Sequence, residues 1–229
     1  MQEDGIDLLI DSGKYGYQQD KYRKYFLSTR AHNTIEVDDK STTRNQDYAY
    51  GSAIVDQPVC INGVWILKGC VNHKINRYIH QRTIVYIPGM DLYVIDIVTN
   101  KKMSLSSRKL KQWWHFETDA EVCINNDNVI ISTTHGKCIE ITSKSSNRKM
   151  EYRYYRGHET EESMSGWVSK SYLKHEPTST ISVSTNLRKC STILTRFNLD
   201  RSSKNKPIIY IKNGRIEVSQ LELYNHIVS

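Results

Sequence analysis

Along most of the chain, β-branched and aromatic residues stand one position apart with polar residues between them. That is the period of a strand with one covered face. In HNTIEVDD (32–39), Ile35 and Val37 point to one side and Glu36 and Asp38 to the other. Similar runs recur as GVWILKGC, INRYIHQRTIVYI, MDLYVIDIVT, KLKQWWHFET, NVIISTTHG, KCIEITS, STISVSTN, CSTILTRFN, PIIYIKN and RIEVSQLEL. Turn signals separate them at IPGMD (87–91), INNDN (124–128) and THGK (134–137), and Asn213-Gly214 predicts a two-residue hairpin. Helical period is nearly absent, and only QQDKYRKYFLS (18–28) predicts a turn or two of helix. A dozen strands without helical partners must cover their faces with one another. The expected fold is therefore all-β, a large two-sheet antiparallel β-sandwich (a supersandwich). No Pro-rich or Gly/Ser-rich linker divides the chain, so one domain over 1–229 is expected.

Composition fits this picture and narrows it. The chain has 229 residues, 38% of them hydrophobic and 25% charged, with 15 Tyr against 3 Phe. Tyrosine packs a ring while keeping a hydroxyl in water, as half-wet sheets require. No run approaches the roughly 18 apolar residues of a membrane span. The opening MQEDGIDLLIDSG is acidic and lacks the basic start of a signal peptide. Net charge is +7 and the pI about 9.0, which favours a polyanionic partner or serves solubility alone. Nucleic acid is the weakest of the polyanion readings, because no recognisable nucleic-acid fold interleaves its basic residues with aromatics. The five cysteines are odd in number and form no CxxC, so free thiols are expected rather than a zinc knuckle or a disulfide framework.

The first forty residues carry the most specific pattern. LLIDSGKYGY, a tyrosine-rich spacer and STRAHNTIEVDD together resemble the opening of the C-terminal β-sandwich of the heparinase II/III-like polysaccharide lyases. YIHQRTIVYIPGMDLYVIDIV and GWVSKSYLKHEPTSTISV are similar to later parts of the same sandwich. The resemblance implies an N-terminal α/α toroid ahead of the sandwich and cleavage of uronate-containing, acidic polysaccharide by β-elimination. That chemistry needs a neutralised carboxylate, a base for the proton beside it and an acid for the leaving oxygen. It also implies a structural zinc or calcium ion held by Asp11 and His32, with a third ligand from a His-x-His motif. This sequence contains no His-x-His, so the implied metal and catalytic sets are incomplete in this chain. By the same resemblance the protein is expected in the periplasm or outside the cell.

Further candidates follow with less pattern behind them. One lyase subgroup draws a catalytic tyrosine from the spacer, which points to Tyr17 or Tyr22. Arg30 and Asn33 flank His32 and are candidates to touch substrate, although Asn33 also suits a backbone-fixing role. Tyr78, His80 and Arg82 share one strand face, which either lines a saccharide cleft or is the sheet's solvated side. Adjacent tryptophans on a strand face opposite ways, so either one ring is core and the other, with Trp114 the candidate, stacks on a sugar ring, or both are core with no sugar contact. The alternative to a lyase domain is a non-catalytic module that binds acidic carbohydrate.

Overall fold

The computed structural model describes residues 1–42, 52–102, 106–126, 128–147, 150–161, 163–201 and 207–228. In chain order, the strands of its two main sheets begin with β1 (Ile35–Val37), β2 (Ser52–Ile54), β3 (Val59–Ile61), β4 (Val64–His73) and β5 (Tyr78–Ile87). Next come β6 (Asp91–Asn100), β7 (Arg108–His115), β8 (Glu121–Ile124) and β9 (Val129–Ser132). The last four are β10 (Cys138–Ser145), β11 (Glu151–Tyr155), β12 (Thr180–Leu187) and β13 (Cys190–Asn198). The larger sheet runs β8-β9-β10-β13-β6-β5-β4-β2, with β3 also paired to β4, and the smaller runs β11-β12-β7-β1. Every pairing is antiparallel. The expected all-β sandwich is what forms.

The two sheets meet over an apolar layer. Trp114, Ile181 and Val183 of the smaller sheet pack on Leu92, Val94, Ile141 and Phe197 of the larger. Ile35, Val37 and Leu110 pack on Tyr78, Val98 and Ile193. Strand β6 reads as an almost unbroken apolar run because both its faces are covered. Tyr93 and Ile95, on its other face, join Val64, Ile66, Val85 and Leu194 beneath a C-terminal segment that contributes Ile209, Leu223 and Ile227. That segment is a hairpin, Ile209–Lys212 with Arg215–Val218, followed by a helix of residues Leu221–Val228. Asn213 (φ 51°) and Gly214 (φ 77°) make its two-residue turn, as their sequence requires.

Three sequence expectations change here. RIEVSQLEL reads as one strand, but the strand stops at Val218, and Leu223 and Ile227 then bury themselves one helical turn apart. Glu36 does not face water: it is 1% exposed and accepts from the Trp113 indole at 3.2 Å and from Arg30 at 3.2 Å. The face carrying Tyr78, His80 and Arg82 turns toward the smaller sheet, with Tyr78 and His80 buried, and is not the solvated side. All five cysteines are free. Among the described residues no helix is long and apolar enough to cross a membrane.

Candidate functional site

Asp11 ends the extended N-terminal segment. Its carboxylate accepts the Gly13 amide at 2.8 Å, closing a tight turn. His32 follows a single 3-10 turn, residues Thr29–Ala31, and its Nδ1–H donates to Asp11 Oδ2 at 2.7 Å. Partial burial raises the Asp11 carboxyl, but the hydrogen bonds from His32 and the Gly13 amide outweigh it and hold the group below its ordinary value. Asn33 fixes this turn to its neighbours. Its amide donates to the Ile10 carbonyl at 2.8 Å, and its oxygen accepts the His115 amide at 2.8 Å.

Behind the pair lies His115, fully buried, its Nδ1 within 2.9 Å of Thr180 Oγ1 and 3.3 Å of Ser12 Oγ. Burial first, and then the like charge of His32, pull its imidazole down to about 4. It is therefore a neutral ring at physiological pH, set against the back of the site.

In front of the pair a cleft of about 420 Å³ opens between Asp11, His32, Lys14, Tyr17 and Arg23. Tyr17 is 63% exposed. Lys14 Nζ donates to its hydroxyl, and the Arg23 guanidinium lies 5.2 Å from its ring centre. The Lys14 hydrogen bond, with the charge of Lys14 behind it, lowers the Tyr17 phenol below its ordinary value. Arg23 belongs to α1 (Lys21–Phe26), which begins where the Asp20 side chain accepts the Arg23 amide at 2.8 Å. Tyr15, Tyr25 and Phe26 pack with Ala31 and Met164 and anchor this spacer to the sandwich.

The other sequence candidates are placed elsewhere. Tyr22 packs its ring against His175 (4.1 Å between centres) and Tyr15, and does not line the cleft. Arg30 is committed to the buried Glu36 and lies over the Trp113 ring. Trp114 is 2% exposed, edge-on to Phe197, so no face of its indole is open to a sugar. His80 and Arg82 belong to a buried network on Asp96, from His80 Nε2 at 2.6 Å, Arg82 Nε at 2.7 Å, and Gln112 Nε2 at 2.6 Å. Arg82 Nη1 also donates to the Asn33 carbonyl at 2.5 Å, bracing the His32 turn from within. Burial pushes the Asp96 carboxyl up, but the charges of Arg82 and His80 overcome it and hold the group far down. Lys14 carries no signal in the sequence; Arg23 stands out there only within the basic-aromatic run Lys21–Tyr25, and His115 only for its alternation with Glu117. Lys14 and Arg23 lie on irregular or barely helical chain where no period marks which side chains converge.

Asp11 and His32 are two donors. Among the described residues no group of three or more His, Cys, Asp or Glu side chains converges as metal ligands would. Protein zinc sites use at least three such ligands, so this pair does not make a metal site by itself.

Residues 1–208 match the model of the heparinase II/III-like C-terminal family, and the chain belongs to that family. Solved structures share its fold. A heparan sulfate lyase HepC from Pedobacter heparinus is 16% identical with a TM-score of 0.69, over 93% of this chain and 34% of that one. A heparinase III is 12% identical with a TM-score of 0.71, over 93% of this chain and 31% of that one. The chain thus spans about a third of the length of these proteins. No sequence among the curated proteins matches it. It is a polysaccharide lyase-like domain.

Proposed function

We propose that this domain forms one wall of a cleft in which a longer lyase cleaves a uronate-containing, acidic polysaccharide by β-elimination. Tyr17 carries the proposal: a phenol with lowered pKa, held by Lys14 and flanked by Arg23, on the same cleft as Asp11 and His32. In the reaction a base takes the proton on the carbon bearing the uronate carboxylate. The electron pair forms a double bond to the adjacent ring carbon, and the glycosidic oxygen departs from that carbon with a proton from an acid. Tyr17, as phenolate or phenol, serves one of these proton transfers, and Lys14 steadies the phenolate. Lys14 and Arg23 also supply positive charge beside which a uronate carboxylate is stabilised. His32, ordered by Asp11, presents its remaining ring nitrogen for a second proton or for a metal ion. A zinc or calcium ion on Asp11 and His32 would require a further ligand from outside the described residues. Arg30, Trp114, His80 and Arg82 act as structural supports rather than substrate contacts in this reading.

Incubation with a panel of uronate polysaccharides, following ultraviolet absorbance of the unsaturated product, tests the proposal. The chain alone is expected to give no product, and the chain joined to an α/α toroid domain is expected to give it. In the joined protein, Tyr17→Phe should lower kcat at least 100-fold, the scale of one lost proton transfer, with little change in KM. An unchanged kcat would remove Tyr17 from the chemistry. Saturable binding without product from the joined protein would favour a non-catalytic carbohydrate-binding module.

A further inference from the structure

The net charge of +7 is not evenly spread. Six exposed cations, Lys74, Arg77, Lys101, Lys102, Arg188 and Lys189, stand on three loops at one end of the sandwich. These loops connect β4 to β5, β6 to β7, and β12 to β13. The backbone stitches them together: the Lys101 amide donates to the Arg77 carbonyl at 2.8 Å, and the Asn100 amide to the Lys189 carbonyl at 3.0 Å. Arg108 reinforces the seam, donating to the Asn76 carbonyl at 2.9 Å and the Arg77 carbonyl at 3.2 Å while Asp38 holds its Nε at 2.7 Å.

The carboxylates nearby are already engaged. Asp38 pairs with Arg108, Asp39 with Lys109 and Lys111, and Glu151 with Arg153. Among the described residues no carboxylate lies within ion-pair distance of any of the six cations. Like charges gathered on one end repel one another and weaken the fold, whereas solubility alone is served by interspersed signs. Arg108 and His115 are the two ends of β7, seven residues apart, so the patch lies about 23 Å from the cleft at the usual rise of a strand.

We infer that this end of the sandwich is a second binding surface, which grips an acidic polysaccharide chain at a distance from the cleft. The charge geometry selects a polyanion, and the choice of polysaccharide rests on the function proposed above. The connecting sequences KINR, NKKMSLSS and RK contain no aromatic residue, so the surface lacks the stacking platforms on which single-stranded nucleic acid binding relies. A surface of this kind holds a long substrate on the protein between cleavage events and lets the chain slide or rebind.

The test is titration of the chain with a sulfated, uronate-containing decasaccharide across a series of salt concentrations, followed by calorimetry. The variant Lys101→Ser/Lys102→Ser/Arg188→Ser/Lys189→Ser should bind at least tenfold more weakly at low salt, with a shallower salt dependence. Lys137→Ser/Lys170→Ser, which removes two charges elsewhere, should stay within twofold of the unaltered chain. Lys102→Ser/Arg188→Ser removes the same two charges from the patch and should lose at least threefold, which keeps the comparison if the fourfold variant does not fold. Equal losses in the two double variants, no loss in either patch variant, or no binding by the unaltered chain would overturn the inference. Tighter binding of single-stranded DNA of equal charge, abolished by the same patch substitutions, would overturn the polysaccharide assignment. No readout depends on product formation, so failure of the elimination mechanism would leave these outcomes readable.

Discussion

Gly13 shows how much one position decides at the cleft. Its φ is +78°, and a Cβ there would lie 2.2 Å from the Ser169 carbonyl oxygen. Ser169 belongs to the strand Trp167–Ser171, and its amide in turn donates to Ser12 at 2.8 Å. The turn that aims Asp11 at His32 therefore exists only because residue 13 has no side chain. Gly13→Ala should destabilise the protein by about 2–4 kcal/mol, the sum of a disfavoured backbone and a displaced strand. The urea midpoint measures it, and a loss below about 0.5 kcal/mol would mean that the strand yields easily. Asp11, His32 and the Ser-Gly turn are legible in the sequence because they form a motif of fixed order. Lys14 and Arg23 are not, because the chain between them is shaped by the packing of Tyr15, Tyr25 and Phe26 on Met164 and Ala31. Such packing leaves no period to read. Trp114 fails for a related reason: alternation says that two adjacent rings face opposite ways but not that a second layer covers each.

Between strands, the Asp96 network does for the site what no single residue can. Asp96 on β6 holds His80 and Arg82 on β5 and Gln112 on β7, so one carboxylate ties the two sheets together. Arg82 carries the connection on to the Asn33 carbonyl, one residue from His32. The carboxylate is completely buried, and removing it leaves the Arg82 guanidinium without its counterion and the His80 and Gln112 side chains without their acceptor. Asp96→Ala should cost about 3–5 kcal/mol, the usual penalty for breaking such a pair from one side. Replacing Arg82 as well, as Asp96→Leu/Arg82→Met, should recover much of that loss by removing both charges together. Urea unfolding of the two variants decides between this and a network of little consequence, in which the single substitution alone would be mild. The strands that build this brace were all legible from their runs of β-branched and aromatic residues, alternating in β5 and β7 and nearly unbroken in β6. Their layering was not: YIHQRT shows a shared face but cannot say whether water or a second sheet lies above it. The C-terminal helix was hidden for a similar reason, since LEL alternates as RIEV does, though out of phase with it, and only Leu223 with Ile227 reveals a helical spacing.

For the molecule as a whole, two histidines at opposite ends link folding to pH. His73 stacks on Tyr78 with 4.1 Å between ring centres at the cationic end, and His115 lies buried behind the cleft. Burial first, and then a neighbouring histidine (His80 for one, His32 for the other), pull both imidazoles down to about 4 from an ordinary 6.5. Between those two values the unfolded chain binds protons at both positions that the folded chain refuses. Acid therefore favours unfolding, and stability should fall as pH drops from 6.5 toward 4, by up to about 1.4 kcal/mol per pH unit for each histidine. Below about 4 the folded rings also accept their protons, and this contribution to the slope ends. The carboxyls held below their ordinary values, Asp11, Asp39, Asp96, Glu117 and Asp119, act in a lower window. Each stabilises the fold while the pH stays above its ordinary value, near 4, and loses that effect only as pH falls through the folded value. The interval from pH 6.5 to 5 thus belongs to the histidines. Urea midpoints measured across it should decline steadily for the unaltered chain and about half as steeply for His73→Phe, which removes one of the two refused protons. A flat profile from pH 7 to 5 would mean that both rings take up protons in the folded state, and that the buried layers at the two ends of the sandwich admit water to them.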